Sequence, residues 1–245
     1  MSFDIIIPAR FASTRLPGKP LLDLGGMPLI ERVYRAAKKS SAKQVIVATD
    51  DQRIADVVQD FGGDAVMTNP EHFSGTDRIA EVVVKRKIKQ DRILVNVQGD
   101  EPFVPVKLIE TVAMNLQSHQ QAVMSTASHP IERKEDVLDP NIVKVVTDNE
   151  GYALYFSRSP IPYPRKEEFA DHFKHIGIYA YRAGFVEKYN QLIPSKTEKT
   201  ESLEQLRLLS NGFKISVQAV DYNIGFGIDT EQDLEKARAY LTSQR

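Results

Sequence analysis

Short apolar runs alternating with amphipathic stretches through the first half of the sequence constrain this chain most. Phe3–Ile7, Gln44–Thr49, Asp64–Thr68 and Ile93–Val97 each have the length and content of a buried strand. Pro28–Lys39, Asp51–Phe61 and Thr76–Lys87 lie between them with apolar residues at helical spacing, and Asp50 or Asp51 and Ser74 or Thr76 are available as caps. Strands and helices in strict alternation predict βα units around a largely parallel sheet, an α/β fold with a Rossmann-like beginning.

From about Ala122 the pattern changes. Ala122–Ser128, Val143–Thr147, Tyr152–Phe156 and Ile176–Tyr181 read as strands, and Asn149-Glu150-Gly151 as a tight turn between two of them, so this half is expected to add antiparallel strands. Ser159-Pro160-Ile161-Pro162-Tyr163-Pro164 cannot be a central strand and is expected to be an extended loop or edge, suited to a lid or a dimer contact. Helices are expected at Glu201–Leu209 and Thr230–Leu241, with strand Lys214–Val220 between them.

Composition narrows the chemistry. The absence of cysteine among 245 residues removes disulfides, thiolate nucleophiles and iron–sulfur clusters, so any metal must sit on oxygen or imidazole, with magnesium favoured. Thirty-two basic residues against 33 acidic ones give a net charge of -1, which argues against a general nucleic-acid binder. No window reaches the length of a membrane span, and nothing at the N-terminus reads as a targeting segment, so a cytoplasmic protein is expected.

In open α/β sheets ligands bind beyond the carboxyl ends of the strands. The loop after the first strand carries Arg10, Arg15 and Lys19 and is placed to meet a polyphosphate. Each cation about 4 Å from a phosphate charge contributes roughly 4 kcal/mol before desolvation, at an effective dielectric near 20. It is not a Walker loop, because Gly18-Lys19 is followed by Pro20, and a solvated basic loop is the plain alternative. Gln98-Gly99-Asp100-Glu101-Pro102 follows the fourth strand, where Gly99 allows close backbone approach and Asp100 points into the crevice. Gly225-Phe226-Gly227-Ile228-Asp229 leads into the last helix. If Thr230 is the cap, with Asp233 completing a capping box, Asp229 is left over as a second carboxylate for a magnesium site or as an ordinary turn aspartate. Ser74-Gly75-Thr76-Asp77-Arg78 opens a helix whose amides could meet a phosphate or the polar edge of a base.

Arg158 and the run Lys174-His175-Ile176-Gly177-Ile178-Tyr179 offer donors for a carboxylated or hydroxylated ligand. Glu201, Glu204 and Arg207 are spaced for ordinary surface pairing on one helix. His72, His119, His129 and His172 have no metal-ligand spacing and read as surface residues, and no G-x-S-x-G elbow supports hydrolase chemistry.

Taken in order, Ile7-Pro8-Ala9-Arg10, Ser13-Thr14-Arg15-Leu16-Pro17-Gly18-Lys19-Pro20, Ser74-Gly75-Thr76, Asn96-Val97-Gln98-Gly99-Asp100-Glu101-Pro102, Ala153-Leu154-Tyr155-Phe156-Ser157-Arg158, His175-Ile176-Gly177-Ile178-Tyr179 and Leu203-Glu204-Gln205-Leu206-Arg207 resemble the 3-deoxy-manno-octulosonate cytidylyltransferase family, the CMP-Kdo synthetases. The resemblance spans nearly the whole chain. It implies a nucleotide-diphospho-sugar transferase fold, a mixed but mostly parallel sheet in a single domain over 1–245. Its nucleotide-binding core would cover about 1–130 and 205–245, and a smaller sugar-binding and dimerisation lobe about 131–204. It implies CTP and the acid sugar Kdo as substrates, CMP-Kdo and pyrophosphate as products, a place in lipopolysaccharide biosynthesis, and a homodimer. By position, Arg10, Arg15 and Lys19 would hold the triphosphate, and Ser74, Gly75 and Arg78 would help read the cytosine. Gln98 would touch both substrates, and Arg158, His175, Tyr179 and Glu204 would line the sugar site, with Arg158 on the sugar carboxylate. Asp100 and Asp229 would hold Mg2+, and with Lys19 they form the expected catalytic set. Lys174 before the histidine and Asn223-Ile224-Gly225-Phe226-Gly227 before the second aspartate depart from the family pattern. They leave open an 8-amino analogue of Kdo or another acid sugar such as sialic acid, and the alternative of a non-catalytic nucleotide-binding protein.

Overall fold

In the computed structural model, which describes residues 2–12, 16–72, 74–166, 171–189 and 191–244, the expected alternation forms a doubly covered sheet. Strands β1 (Phe3–Ala9), β2 (Val45–Thr49), β3 (Asp64–Met67) and β4 (Ile93–Asn96) are parallel and stand in the order β3-β2-β1-β4. Helices α1 (Leu29–Lys38), α2 (Gln52–Asp60) and α3 (Gly75–Arg86) make the crossovers. Asp51 caps α2, and Ser74, not Thr76, caps α3 in a capping box with Asp77.

Residues alternate between the two faces of this sheet. Phe3, Ile5 and Ile7 point to one core with α1, α2 and α4 (Val106–Ser118), while Ile6 and Leu94 point to a second core with α3. Burying each such side chain contributes roughly 1.5–3 kcal/mol. Coverage on both sides explains why these strands read as unbroken apolar runs.

The second half is mixed. β8 (Phe173–Arg182) lies antiparallel between β4 and β5 (Ala122–Pro130), and β9 (Lys214–Ala219) runs parallel to β5 at the edge. Past the short helix α5 (Lys134–Leu138), β6 (Lys144–Thr147) and β7 (Ala153–Ser157) form an antiparallel pair off the main strand order, joined to β8 at Lys144. The turn between them closes through the Asp148 carboxylate, which accepts from the Glu150 and Tyr152 amides. The Pro-rich stretch at 159–164 is irregular, as expected. After β8 come α6 (Ala183–Tyr189), α7 (Lys196–Glu201), α8 (Gln205–Ser210) and, beyond β9, α9 (Glu231–Ser243).

Two readings need correction here. The single helix expected at Glu201–Leu209 is two, because Ser202 takes a left-handed conformation (φ 52°) that ends α7 and turns the chain before α8. His172 is buried, with its Nε2 3.0 Å from the Pro162 carbonyl, and is not a surface residue.

Candidate active site

From β1 the chain moves to β2 and β3 on one side, and β4 lies on the other, so the crevice between the ends of β1 and β4 is where the strand order reverses. Both candidate loops leave from this point. Gly18, at φ 66°, donates its amide to the Phe11 carbonyl and closes the first loop, so that Lys19 begins a 3-10 turn facing the crevice. Gly99 passes so close to β1 that a Cβ there would stand 2.7 Å from the Pro8 carbonyl oxygen. That approach sets Asp100 beside the first loop.

The Lys19 ammonium then gathers three acceptors. It donates to Asp100 Oδ2 at 2.6 Å, to the Ile228 carbonyl at 2.8 Å and to Asp229 Oδ1 at 3.1 Å. Thr230 caps α9 in a box with Asp233, as the sequence suggested, and the Asp229 carboxylate extends toward Lys19. Two carboxylate oxygens thus converge on one cationic point, a hard-oxygen donor set that suits Mg2+ with phosphate and water as its other ligands. Among the described residues no group of three or more His, Asp or Glu side chains gathers to hold a metal by itself. Glu101, next in sequence, is pushed up to a pKa of about 7 by burial and by the charges of Asp100 and Asp229, against the pull of Lys19.

Arg10 lines the same recess, about 210 Å³, with Lys19, Gly75, Gln98 and Asp100. Its guanidinium is held by the His72 carbonyl. The His72 ring is anchored in turn on Glu81, 2.5 Å away. Burial works against ionising Glu81, but Lys85, the Asn69 amide and His72 together outweigh it and draw its pKa down to about 2. His72 is therefore part of the support of a site residue and not a bare surface histidine. Arg15 lies outside the described residues.

A second cavity of about 390 Å³ opens from the first, sharing Gly75 and Gln98 with it. His175, Tyr179 and Glu204 come together in its lining, with Asn96, Tyr181 and Gln205, which sequence reasoning missed. Asn96 Oδ1 and Gln205 Nε2 are buried in its wall without a hydrogen-bond partner among the described residues. Burial lowers the His175 pKa to about 4 and keeps the ring neutral, and burial also raises Tyr179 and Tyr181 well above the usual phenol range. Glu204 is open to the cavity yet surrounded by protein, which raises its carboxyl pKa while Arg207 pulls it down. Arg207 itself forks onto Glu198 at 2.5–3.0 Å, so the surface pairing expected within Glu201, Glu204 and Arg207 is replaced by a bridge between α7 and α8.

The remaining expected residues stand elsewhere. Arg78 is fully buried, bonded to Thr68 and at 2.8 Å to Asp50, and ties α3 to the ends of β2 and β3. Its guanidinium has no path to a base, so the expected cytosine contact is corrected to a structural tie. The Ser74 hydroxyl accepts the Asp77 amide at 3.1 Å as a cap, leaving Gly75 as the residue of this segment that faces both cavities. Arg158 does not line either cavity. It donates to the carbonyls of Glu201 at 2.7 Å and Pro140 at 2.8 Å, and so braces the end of α7 just before the cavity wall at Ser202–Glu204.

The Cytidylyltransferase family model matches residues 5–215, which takes in both cavities. A curated relative from Aliivibrio fischeri (strain MJ11), 3-deoxy-manno-octulosonate cytidylyltransferase, is 54% identical over 99% of this chain and 100% of its own length. The chain belongs to the 3-deoxy-manno-octulosonate cytidylyltransferase family. A family member from Idiomarina loihiensis is 51% identical over 97% of this chain and 98% of its own. Among solved structures, a CMP:2-keto-3-deoxy-manno-octonic acid synthetase complexed with CTP is similar at a TM-score of 0.94, with 45% identity and full coverage of both chains. A cytidylyltransferase from Leptospira borgpetersenii (serovar Hardjo-bovis, strain JB197), at 17% identity and a TM-score of 0.64 over 98% of this chain, shares the fold.

Proposed function

We propose that this family member joins CTP to 3-deoxy-manno-octulosonate (Kdo), giving CMP-Kdo and pyrophosphate, the activation that precedes use of the sugar in lipopolysaccharide. The reading rests on one observation above the others: the recess that gathers Arg10, Lys19 and Asp100 opens at Gln98 into a polar cavity lined by Asn96, His175, Tyr179, Glu204 and Gln205. A triphosphate in the first places its α-phosphorus next to a sugar in the second.

Arg10 and Lys19 bind and orient the triphosphate, and their positive charge offsets the charge that develops as pyrophosphate leaves. Gln98, at the junction, orients the anomeric hydroxyl for in-line attack on the α-phosphorus. Proximity of two bound substrates then supplies much of the rate, and no covalent enzyme intermediate is required. Asp100 and Asp229 would hold Mg2+, which when bound withdraws charge from the phosphates and lowers the pKa of the attacking hydroxyl. Glu204, Tyr179 and His175 meet the sugar hydroxyls, and Arg158 serves the sugar side through the Ser202–Glu204 wall. A homodimer working in the cytoplasm, with residues 131–204 as the sugar-binding and dimerisation lobe, completes the reading. Among the described residues no helix is long and apolar enough to cross a membrane.

The test is a panel of nucleoside triphosphates against acid sugars, read by pyrophosphate release with Mg2+. CTP with Kdo is expected to stand out. Equal or faster release with the 8-amino analogue or with sialic acid would reassign the sugar, and no sugar-dependent release from CTP would defeat the proposal.

A further inference from the structure

Thr126 lies at an irregularity of the sheet beside the second cavity. Adjacent residues Thr126 and Ala127 of β5 pair with Tyr179 and Ile176 of β8, so Gly177 and Ile178 form a bulge with no partners of their own. The side chain of Thr126, fully buried, fills the bulge. Its Oγ1 is 2.8 Å from the Ile178 carbonyl, 3.0 Å from the Ile176 carbonyl and 3.1 Å from His175 Nε2.

A hydroxyl has one proton and two lone pairs, and a carbonyl oxygen only accepts. If the Thr126 proton pointed to a bare Nε2, two carbonyl oxygens at 2.8 and 3.0 Å would face the hydroxyl oxygen with no proton between them. Pointing the proton at the nearer carbonyl, that of Ile178, turns one of these two repulsive contacts into a hydrogen bond, and a lone pair of Oγ1 then accepts from a protonated Nε2. Burial holds the ring neutral, with a pKa of about 4, so it carries a single proton. If that proton is on Nε2, Nδ1 is bare. Among the described residues the ring's hydrogen bond is made by Nε2 and none by Nδ1, and His175 lines the 390 Å³ cavity as well as the 240 Å³ one beside it.

We propose that Thr126 is a positioning residue that fixes His175 as the Nε2–H tautomer, so that Nδ1 presents a hydrogen-bond acceptor to a hydroxyl of the acid sugar. The tautomer follows from the protein alone, and the contact to the sugar rests on the reading of this cavity as the sugar site. A bare ring nitrogen repels a carboxylate and accepts from a hydroxyl, so it also sets which way round the sugar enters.

Nitrogen-15 NMR of the histidine rings in the sugar-free protein tests it, with His175→Gln identifying which of the five histidines gives the signal. The expected result is a protonated Nε2 and a bare Nδ1, and a protonated Nδ1 overturns the proposal. In Thr126→Val the tautomer preference should be lost and the KM for Kdo should rise about tenfold, the worth of one hydrogen bond, with the KM for CTP unchanged. Thr126→Ser should restore both. A valine variant with wild-type tautomer and wild-type KM for Kdo overturns the positioning role, and should it fail to fold, the wild-type spectrum still decides. Kdo should shift the Nδ1 signal. If Nε2 carries the proton but Kdo leaves Nδ1 unmoved, the tautomer stands and the sugar contact falls, together with the reading of this cavity.

Discussion

Lys19 donates to Asp100 across 2.6 Å, joining the loop after β1 to the loop after β4 at the point where the strand order reverses. The same ammonium reaches Asp229, ahead of α9, at 3.1 Å. Three segments distant in sequence thus meet on one positive charge.

Asp100→Asn or Asp229→Asn removes one of the two converging carboxylates. Each variant is expected to lose at least about 100-fold in kcat, the scale of a lost electrostatic partner in a transition state, with circular dichroism unchanged. Lys19→Met should lose turnover on a similar scale and raise the KM for CTP. Near-wild-type kcat in any of the three would remove that residue from the site.

Glu101 gives a pH dependence whose direction is fixed by its raised pKa of about 7. Below about pH 4.5, the ordinary glutamate value, the carboxyl is protonated in both folded and unfolded chains and costs nothing. Between there and about pH 7 the unfolded chain releases the proton and the folded one retains it, so stability falls as pH rises. Glu101→Gln in metal-free buffer should therefore melt higher than wild type at pH 8, by on the order of 1–3 kcal/mol, and show little difference at pH 4.5. Equal melting temperatures at both pH values would contradict the raised pKa.

Arg158→Ala removes two hydrogen bonds to backbone carbonyls, one at the end of α7 (Glu201) and one in the loop after α5 (Pro140). We expect a loss of about 1–3 kcal/mol in urea unfolding and a higher KM for the sugar with the KM for CTP unchanged. A matching loss of CTP affinity would place Arg158 on the nucleotide, and unchanged stability with a higher sugar KM would favour direct contact with the sugar carboxylate.

Gly99→Ala sets a Cβ 2.7 Å from the Pro8 carbonyl oxygen, backbone that cannot yield without moving the end of β1. The expected cost is about 1–3 kcal/mol in urea unfolding, with a drop in kcat because Asp100 moves with the loop. A variant as stable and active as wild type would contradict the tight approach.

The parts of the site that the sequence made legible are those fixed by strand ends. Lys19, Asp100 and Asp229 follow strands or precede a capped helix, and local pattern alone locates such ends. Local pattern misplaces Arg78 because residues at a helix start look open to ligand, whereas it stands beside Ile79 on the buried side of α3, where its side chain reaches Asp50. Nothing local signals that Ser202 turns left-handed, and so the change that sets Glu204 on the cavity wall looks in sequence like a continuing helix. Asn96 left a trace, a polar residue inside the apolar run Ile93-Leu94-Val95-Asn96-Val97, which is costly unless it has a partner. Thr126 left none, because its role depends on a two-residue slip in a pairing between strands about 50 residues apart in sequence.

The most direct measurement is phosphorus-31 NMR of CTP incubated with the protein, Kdo and Mg2+. The account predicts that the triphosphate signals give way to one phosphodiester, CMP joined to the sugar, and one pyrophosphate for each CTP consumed. CTP left unchanged, or cleaved to CMP or CDP without a phosphodiester to the sugar, would contradict it.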